Sequence, residues 1–276
     1  MKLTSLGNIY GGQDGAIWNG ILFKFDGTGV CKIYDVNGFK EISSLTLDTP
    51  LIPHSNAVTF GNDYFEEDDE FPILYTNVYN NYDGKENPHK GTCLAFRIQR
   101  SGNNFSFTLK QIIKIGFCED TDIWCSPDGD IRPFGNFVVD RDNNKYYAFN
   151  MMDGIKKSRY FVFDMPKLTD GVIDEKTGVR TVTLQKEDII KHFDLDYHNY
   201  LQGATVYKGK IYSVEGGTKS EGCPAVIRII DPVEGKQEFF AFFRDYIEDF
   251  EPEYIDFYKD VCYYGDNYGH LYTIEF

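Results

Sequence analysis

Residues 201–216 read Leu201-Gln202-Gly203-Ala204-Thr205-Val206-Tyr207-Lys208-Gly209-Lys210-Ile211-Tyr212-Ser213-Val214-Glu215-Gly216. A short polar lead-in runs into a β-rich stretch, a Lys-Gly-Lys turn reverses the chain, and a second strand returns through Ile211 and Val214. Two such stretches joined by a glycine-bearing polar turn form a hairpin, because the turn needs backbone angles that glycine adopts without steric cost. Outward from this unit the pattern repeats. Further lead-ins are Gly12-Gln13-Asp14-Gly15, His54-Ser55-Asn56-Ala57, Phe134-Gly135-Asn136-Phe137 and Glu251-Pro252-Glu253-Tyr254.

After each lead-in, three strands a, b and c can be read. An outer strand d then follows as KEISSLTL, NFSFTLKQIIKI, RTVTLQ and KQEFFAFF. The fifth unit stops at Phe276 without its own outer strand, and the N-terminal KLTSLGNI supplies one. Repetition at this period marks a repeat architecture, and closing the ring removes the exposed edges of an all-β protein. The predicted fold is all-β. It is a five-bladed β-propeller of four-stranded antiparallel blades whose N-terminal strand completes the C-terminal blade. The predicted blades cover 12–48, 54–116, 134–186, 201–244 and 251–276 plus 2–10, in one domain spanning 1–276. A β-sandwich with long loops is the competing architecture, and uneven blade lengths leave a six-bladed count open. The one stretch with helical spacing is 185–193 (QKEDIIKHF), which places Ile189, Ile190 and Phe193 on one face of a short helix.

The 276 residues carry 43 Asp and Glu against 28 Lys and Arg, a formal net charge of −15. That balance argues against nucleic-acid and anionic-membrane partners, which need a basic footprint. The 20 Tyr and 23 Phe favour β structure and packing between blades. No apolar run reaches the roughly 18 residues of a membrane-spanning helix. Lys2 has no apolar stretch behind it that would make a signal peptide. The expected location is therefore the cytoplasm, with secretion requiring a removed leader, and the expected state is a monomer. The six cysteines form no CxxC, and Cys118 and Cys125 are the only close pair. Cys31, Cys93 and Cys262 fall in strand-like runs and read as buried free thiols.

In a propeller the first strands line a central channel, and polar groups from every blade converge at its mouth. The lead-ins are expected to bring Gln13, Asp14, His54, Asn56, Asn136, Gln202, Glu251 and Glu253 toward one small volume. Carboxylates and amides around an axis suit a hard cation, and Asp14, Asn56, Asn136 and Glu253 are the candidate ligands for calcium at the channel axis. They equally suit ordered water, and each can instead satisfy backbone groups where the chain dives inward. His54 is the candidate acid–base residue, with Glu251 and Glu253 as carboxylate candidates.

Residues 116–133 form a long connection that should cover the mouth. Its Trp124 and Arg132 offer a platform for a sugar or peptide beside Gln13, Asn56, Asn136 and Gln202, although Trp124 could equally anchor the loop. Loops 79–91 and 216–224 complete the expected rim. The acidic run 65–70 is expected to be a solvated loop. Asp140-Arg141-Asp142-Asn143-Asn144 has the alternating carboxylates of a calcium loop but lacks its Gly and terminal Glu, so it reads as a hairpin turn.

Tyr200-Leu201-Gln202-Gly203-Ala204, then Tyr207-Lys208-Gly209-Lys210-Ile211-Tyr212 and Glu215-Gly216-Gly217, resemble a recurring unit of the plant- and bacterial-type glutaminyl cyclases. That unit has a Phe-Thr-Gln-Gly-Leu lead-in, a hairpin and a glycine-bearing strand end. Glu251-Pro252-Glu253 with the hairpin after it resembles the last blade of related bacterial propellers. The resemblance covers one blade and the architecture, and it implies a five-bladed propeller with glutaminyl-cyclase activity as one alternative. A second analogy is to calcium-dependent lactonase-like propellers, with Asp14, Asn56, Asn136 and Glu253 imitating their axial metal set. From the residues themselves the leading expectation is a propeller that binds a small molecule, sugar or peptide at its mouth. A cyclase-like or lactonase/hydrolase-like enzyme on the same face, and a protein-interaction scaffold, are the alternatives.

Overall fold

The computed structural model describes residues 1–276 apart from 48–52, 79–90, 118–135, 153–156, 176, 197, 199 and 218–221. After β1 (Lys2–Asn8), the first sheet is β2 (Gly15–Trp18), β3 (Ile21–Phe25), β4 (Val30–Asp35) and β5 (Lys40–Thr46). The second begins with β6 (Val58–Phe60), β7 (Leu74–Val78), β8 (Thr92–Ser101) and β9 (Asn104–Ile115). The third is β10 (Asn136–Asp140), β11 (Lys145–Met152) and β12 (Lys157–Asp164), followed in the chain by β13 (Val172–Ile173), β14 (Arg180–Leu184) and β15 (Lys191–Asp196). The fourth is β16 (Leu201–Tyr207), β17 (Lys210–Glu215), β18 (Val226–Asp231) and β19 (Lys236–Phe242). The fifth is β20 (Pro252–Tyr258), β21 (Val261–Asp266) and β22 (His270–Glu275).

The first strands β2, β6, β10, β16 and β20 pack against one another in chain order, and β20 returns to β2. The five sheets therefore close into a five-bladed propeller. The opening hairpin of the fourth blade turns at Lys208 (φ 49°) and Gly209 (φ 73°), the left-handed pair that matches strand twist. Closure of the ring uses both ends of the chain. β1 pairs antiparallel with β22, from Lys2 opposite Glu275 to Asn8 opposite His270, with an irregularity between Ser5 and Gly7.

Two elements depart from the sequence expectation. Residues 185–193 are not a helix. A single 3-10 turn at Lys186–Asp188 leads into β15, which is the outer strand of the third blade. In β15 Phe193 and Leu195 are buried while His192, Asp194 and Asp196 face outward, so the governing period is two. The apparent helical face came from stopping the reading at Phe193. The segment RTVTL, read as the third blade's outer strand, is β14, and it lies parallel to β9 of the second blade. With β13 added outside it, the second blade has six strands, in the order β13-β14-β9-β8-β7-β6.

Aromatic rings fill the seams between blades. Phe23 of the first blade meets Phe60, Phe71, Phe105 and Phe107 of the second edge-on, with centroids 5.4–6.0 Å apart. Tyr207 and Phe257 stack at 3.9 Å across the fourth and fifth. Cys31, Cys93 and Cys262 are free and buried and Cys223 is buried, whereas Cys118 and Cys125 lie outside the described residues. Asp140 Oδ1 accepts the backbone N–H groups of Asp142 and Asn143, so residues 140–144 are a hairpin turn. Within the acidic run 65–70, Asp69 pairs with Arg97 at 2.7 Å. Among the described residues, no helix is long and apolar enough to cross a membrane.

Candidate functional site

Each lead-in delivers its polar residue just before or within the first strand of its blade, so these side chains meet across the seams between blades, where the Asp14 N–H also donates to the Ser55 carbonyl at 2.9 Å. Asp14 directly precedes β2, and its Oδ2 accepts the Val58 N–H at 2.9 Å, tying the first blade to the second. Gln13 Nε2 donates to Glu253 Oε1 at 3.4 Å, joining the first blade to the fifth. Asn56 Nδ2 donates to the Leu201 carbonyl at 3.2 Å, and its Oδ1 accepts from Asn77 Nδ2 at 2.5 Å. Gln202 Nε2 donates to Glu251 Oε1 at 2.6 Å and to the Gly216 carbonyl at 3.2 Å. The lead-in glycine of the fourth blade also has a spatial reason. A methyl group on Gly203 would stand 3.1 Å from Asp14 Oδ1 and 3.0 Å from the Glu253 carbonyl.

Several of these groups are buried with a lone pair unused. Gln13 Oε1, Asp14 Oδ1, Ser55 Oγ, Asn136 Oδ1 and Glu253 Oε2 are shielded from solvent and have no hydrogen-bond partner among the described residues. Burial raises the Asp14 carboxyl well above the usual carboxylate range, against the pull of hydrogen bonds from the Val58 and Gly15 N–H groups. Burial also raises Glu253 well above its ordinary value, reinforced by the neighbouring charge of Glu251.

Two residues that the sequence reading missed complete the cluster. Lys24 of β3 is buried, and its ammonium has no hydrogen-bond partner among the described residues. It lies over the Tyr254 ring at 5.4 Å and feels the charges of Glu253, Asp14 and Asp266. Burial pushes it down to about 8, and those three carboxylates resist the shift. Asp266, at the end of β21, is buried and accepts from the Tyr268 and His270 backbone N–H groups, with its Oδ2 2.8 Å from His270 Nδ1. The signal for Lys24 was present, since a lysine inside the run Ile21-Leu22-Phe23-Lys24-Phe25 must either be exposed or interact with carboxylates. Below the cluster, Asp256 accepts the Ile17 N–H at 2.7 Å and the Thr205 hydroxyl at 2.9 Å, linking three blades.

His54 sits apart from these contacts. It bridges to Val78 and lies against the β3–β4 turn, its Nδ1 3.0 Å from where a methyl group on Gly27 would stand. Burial lowers its pKa to about 4, against the pull of Asp26, so the imidazole is neutral near pH 7. Trp124 and Arg132 lie outside the described residues, as do parts of the expected rim loops 79–91 and 216–224. Of the four candidate calcium ligands, Asp14, Asn136 and Glu253 each keep one partnerless oxygen, whereas Asn56 uses both ends of its amide. Among the described residues, no group of three or more His, Cys, Asp or Glu is arranged to hold a metal ion.

A glutaminyl cyclase of Myxococcus xanthus superposes with a TM-score of 0.53 over 100% of this chain and 94% of its own, at 10% identity. The two chains share a fold. A Thermus thermophilus protein described as a putative oxidoreductase (glucose dehydrogenase) gives a TM-score of 0.50 over 99% of each chain, at 7% identity. At such identities the likeness is one of architecture, which agrees with the resemblance read from residues 200–217 and transfers no chemistry. No family model matches the sequence, and no curated protein matches it.

Proposed function

We propose that this propeller binds a small ligand rich in hydrogen-bond donors at the mouth of its axis. Sugar hydroxyls and the N–H groups of a short peptide are the fitting chemistries. The observation that carries this reading is the set of five buried oxygens without donors, on Gln13, Asp14, Ser55, Asn136 and Glu253. An unmet buried polar atom costs about 1–3 kcal/mol, so five gathered near one axis favour any molecule that supplies their missing protons. Gln13 and Glu251 are only partly buried and form the approach from solvent.

A second reading is enzymatic, and one observation favours it. The axis holds carboxyls whose pKa is raised beside an amine whose pKa is lowered to about 8, the opposed tuning that acid–base chemistry uses. Glutaminyl cyclisation is one reaction of this kind, in which the α-amine attacks the side-chain carboxamide carbon and ammonia leaves. One experiment addresses both readings. Calorimetry with a panel of monosaccharides and short peptides, one headed by glutamine, is expected to show saturable heat that Asn136→Leu abolishes. Ammonia release from the glutamine-headed peptide would select the enzymatic reading. The absence of saturable binding across the panel, or binding untouched by Asn136→Leu, overturns the axial site.

A further inference from the structure

A second concavity lies at the outer rim, away from the axis. Between the end of β12 and the crossing strand β14 is a cleft of about 460 Å³, within the ~300–1,000 Å³ range of ligand pockets. Its apolar walls are Phe163, Met165, Val182, Leu184, Ile189 and Ile190. Ile190 is 53% exposed at the opening. Every charged side chain of the lining is acidic, namely Asp164, Asp170, Glu187 and Asp188, and all four are exposed. The segment that carries Asp170 is anchored, because buried Gln111 donates from Nε2 to the carbonyls of Lys167 at 2.7 Å and Asp170 at 3.3 Å.

We infer that this cleft docks a segment of a partner protein that carries Lys or Arg on either side of two adjacent bulky apolar residues. The assignment rests on complementarity. Apolar walls take an uncharged side chain, while a rim with four carboxylates and no cationic lining residue attracts positive charge and repels acidic segments. Asp164 is already paired with Lys145, and Asp170 and Asp188 each accept a backbone N–H, so Glu187 is the rim charge most available to a partner. A peptide leaving the cleft past Asp170 reaches β13, the outermost strand of the second blade, whose Val172 and Ile173 are exposed. A free strand edge there can extend the contact through main-chain pairing.

The test uses the full chain and the fluorescein-labelled peptide Lys-Arg-Leu-Phe-Arg-Lys, read by fluorescence anisotropy. Saturable binding is expected, weakened about tenfold or more by Glu187→Lys and by Ile190→Ser. Thermal melts of both variants confirm that the fold is kept. Glu67→Lys, in the acidic run of the second blade, should leave affinity unchanged. No saturable binding overturns the proposal. So does an equal loss in Glu67→Lys, which would reduce the effect to net charge, and so does equal binding of Lys-Arg-Ser-Ser-Arg-Lys. A concentration-dependent dimer abolished by Ile190→Ser would give the cleft to a second copy of the chain and also overturn it.

Discussion

Lys24 is the residue whose surroundings say most about the axis. A buried ammonium with no hydrogen-bond partner among the described residues is tolerated because Glu253, Asp14 and Asp266 supply opposing charge, yet burial still outweighs them. A lysine whose folded pKa is about 8 against an ordinary 10.5 contributes stability that is full above 10.5 and is lost as pH falls through about 8. Replacing it with methionine removes that penalty. Lys24→Met is expected to be more stable than wild type at pH 7, by up to about 3 kcal/mol, with the gap closing as pH rises toward 10.5. Urea titrations at pH 7, 8.5 and 10 measure it, and a gap that does not change with pH refutes it. The axial carboxyls and amides could be read from the lead-ins because each stands beside its own turn. Lys24 was legible only as a lysine that its apolar run obliges to be exposed or to meet carboxylates; that two of those carboxylates are Glu253 and Asp266, 229 and 242 positions further along the chain, is a separation that periodicity does not encode.

At the scale of the element, the lesson lies in residues 165–196. β14 crosses from the third blade to the second, and the chain then returns as β15. Composition identified RTVTL as a strand, but local sequence does not say which edge a strand will join. Parallel pairing with β9 is a long-range choice made by packing Val182 and Leu184 on the second seam. β1 is the opposite case, because the strand missing from the fifth unit could be counted. Its role predicts an outcome. Deleting residues 1–8 bares the edge of β22 and is expected to lower the urea midpoint markedly and promote association through the free edge. Adding a synthetic peptide of residues 1–8 should restore the midpoint, and an unchanged midpoint on deletion would show that closure does not depend on β1.

For the whole molecule, the seams decide the behaviour. Each blade packs its aromatic face on the next, and Trp18 of the first blade touches Phe60 of the second and lies under Arg141 of the third, at 5.6 and 5.3 Å. Units that share their cores in a closed ring are expected to unfold together. Far-ultraviolet dichroism and the near-ultraviolet aromatic signal should fall at one urea concentration, and two separated transitions would show independent units. The −15 charge is distributed with the fold, and its carboxylates divide by environment: burial raises Asp14 and Glu253, whereas hydrogen bonds from Arg159 and Lys157 hold the exposed Asp194 and Asp196 below their ordinary value.

The crossing of β14 also bears on how such a ring can be altered or descend. Were every unit self-contained, a gene could gain or lose one by simple duplication. Here the stretch that builds the third unit also clothes its neighbour, so excising it would strip the second of two strands, and copying it would leave a strand pair with no edge to join. Units two and three form one heritable piece. Recombination that preserves folding must cut on either side of the pair, near 48–54 or near 197–200, and not between them.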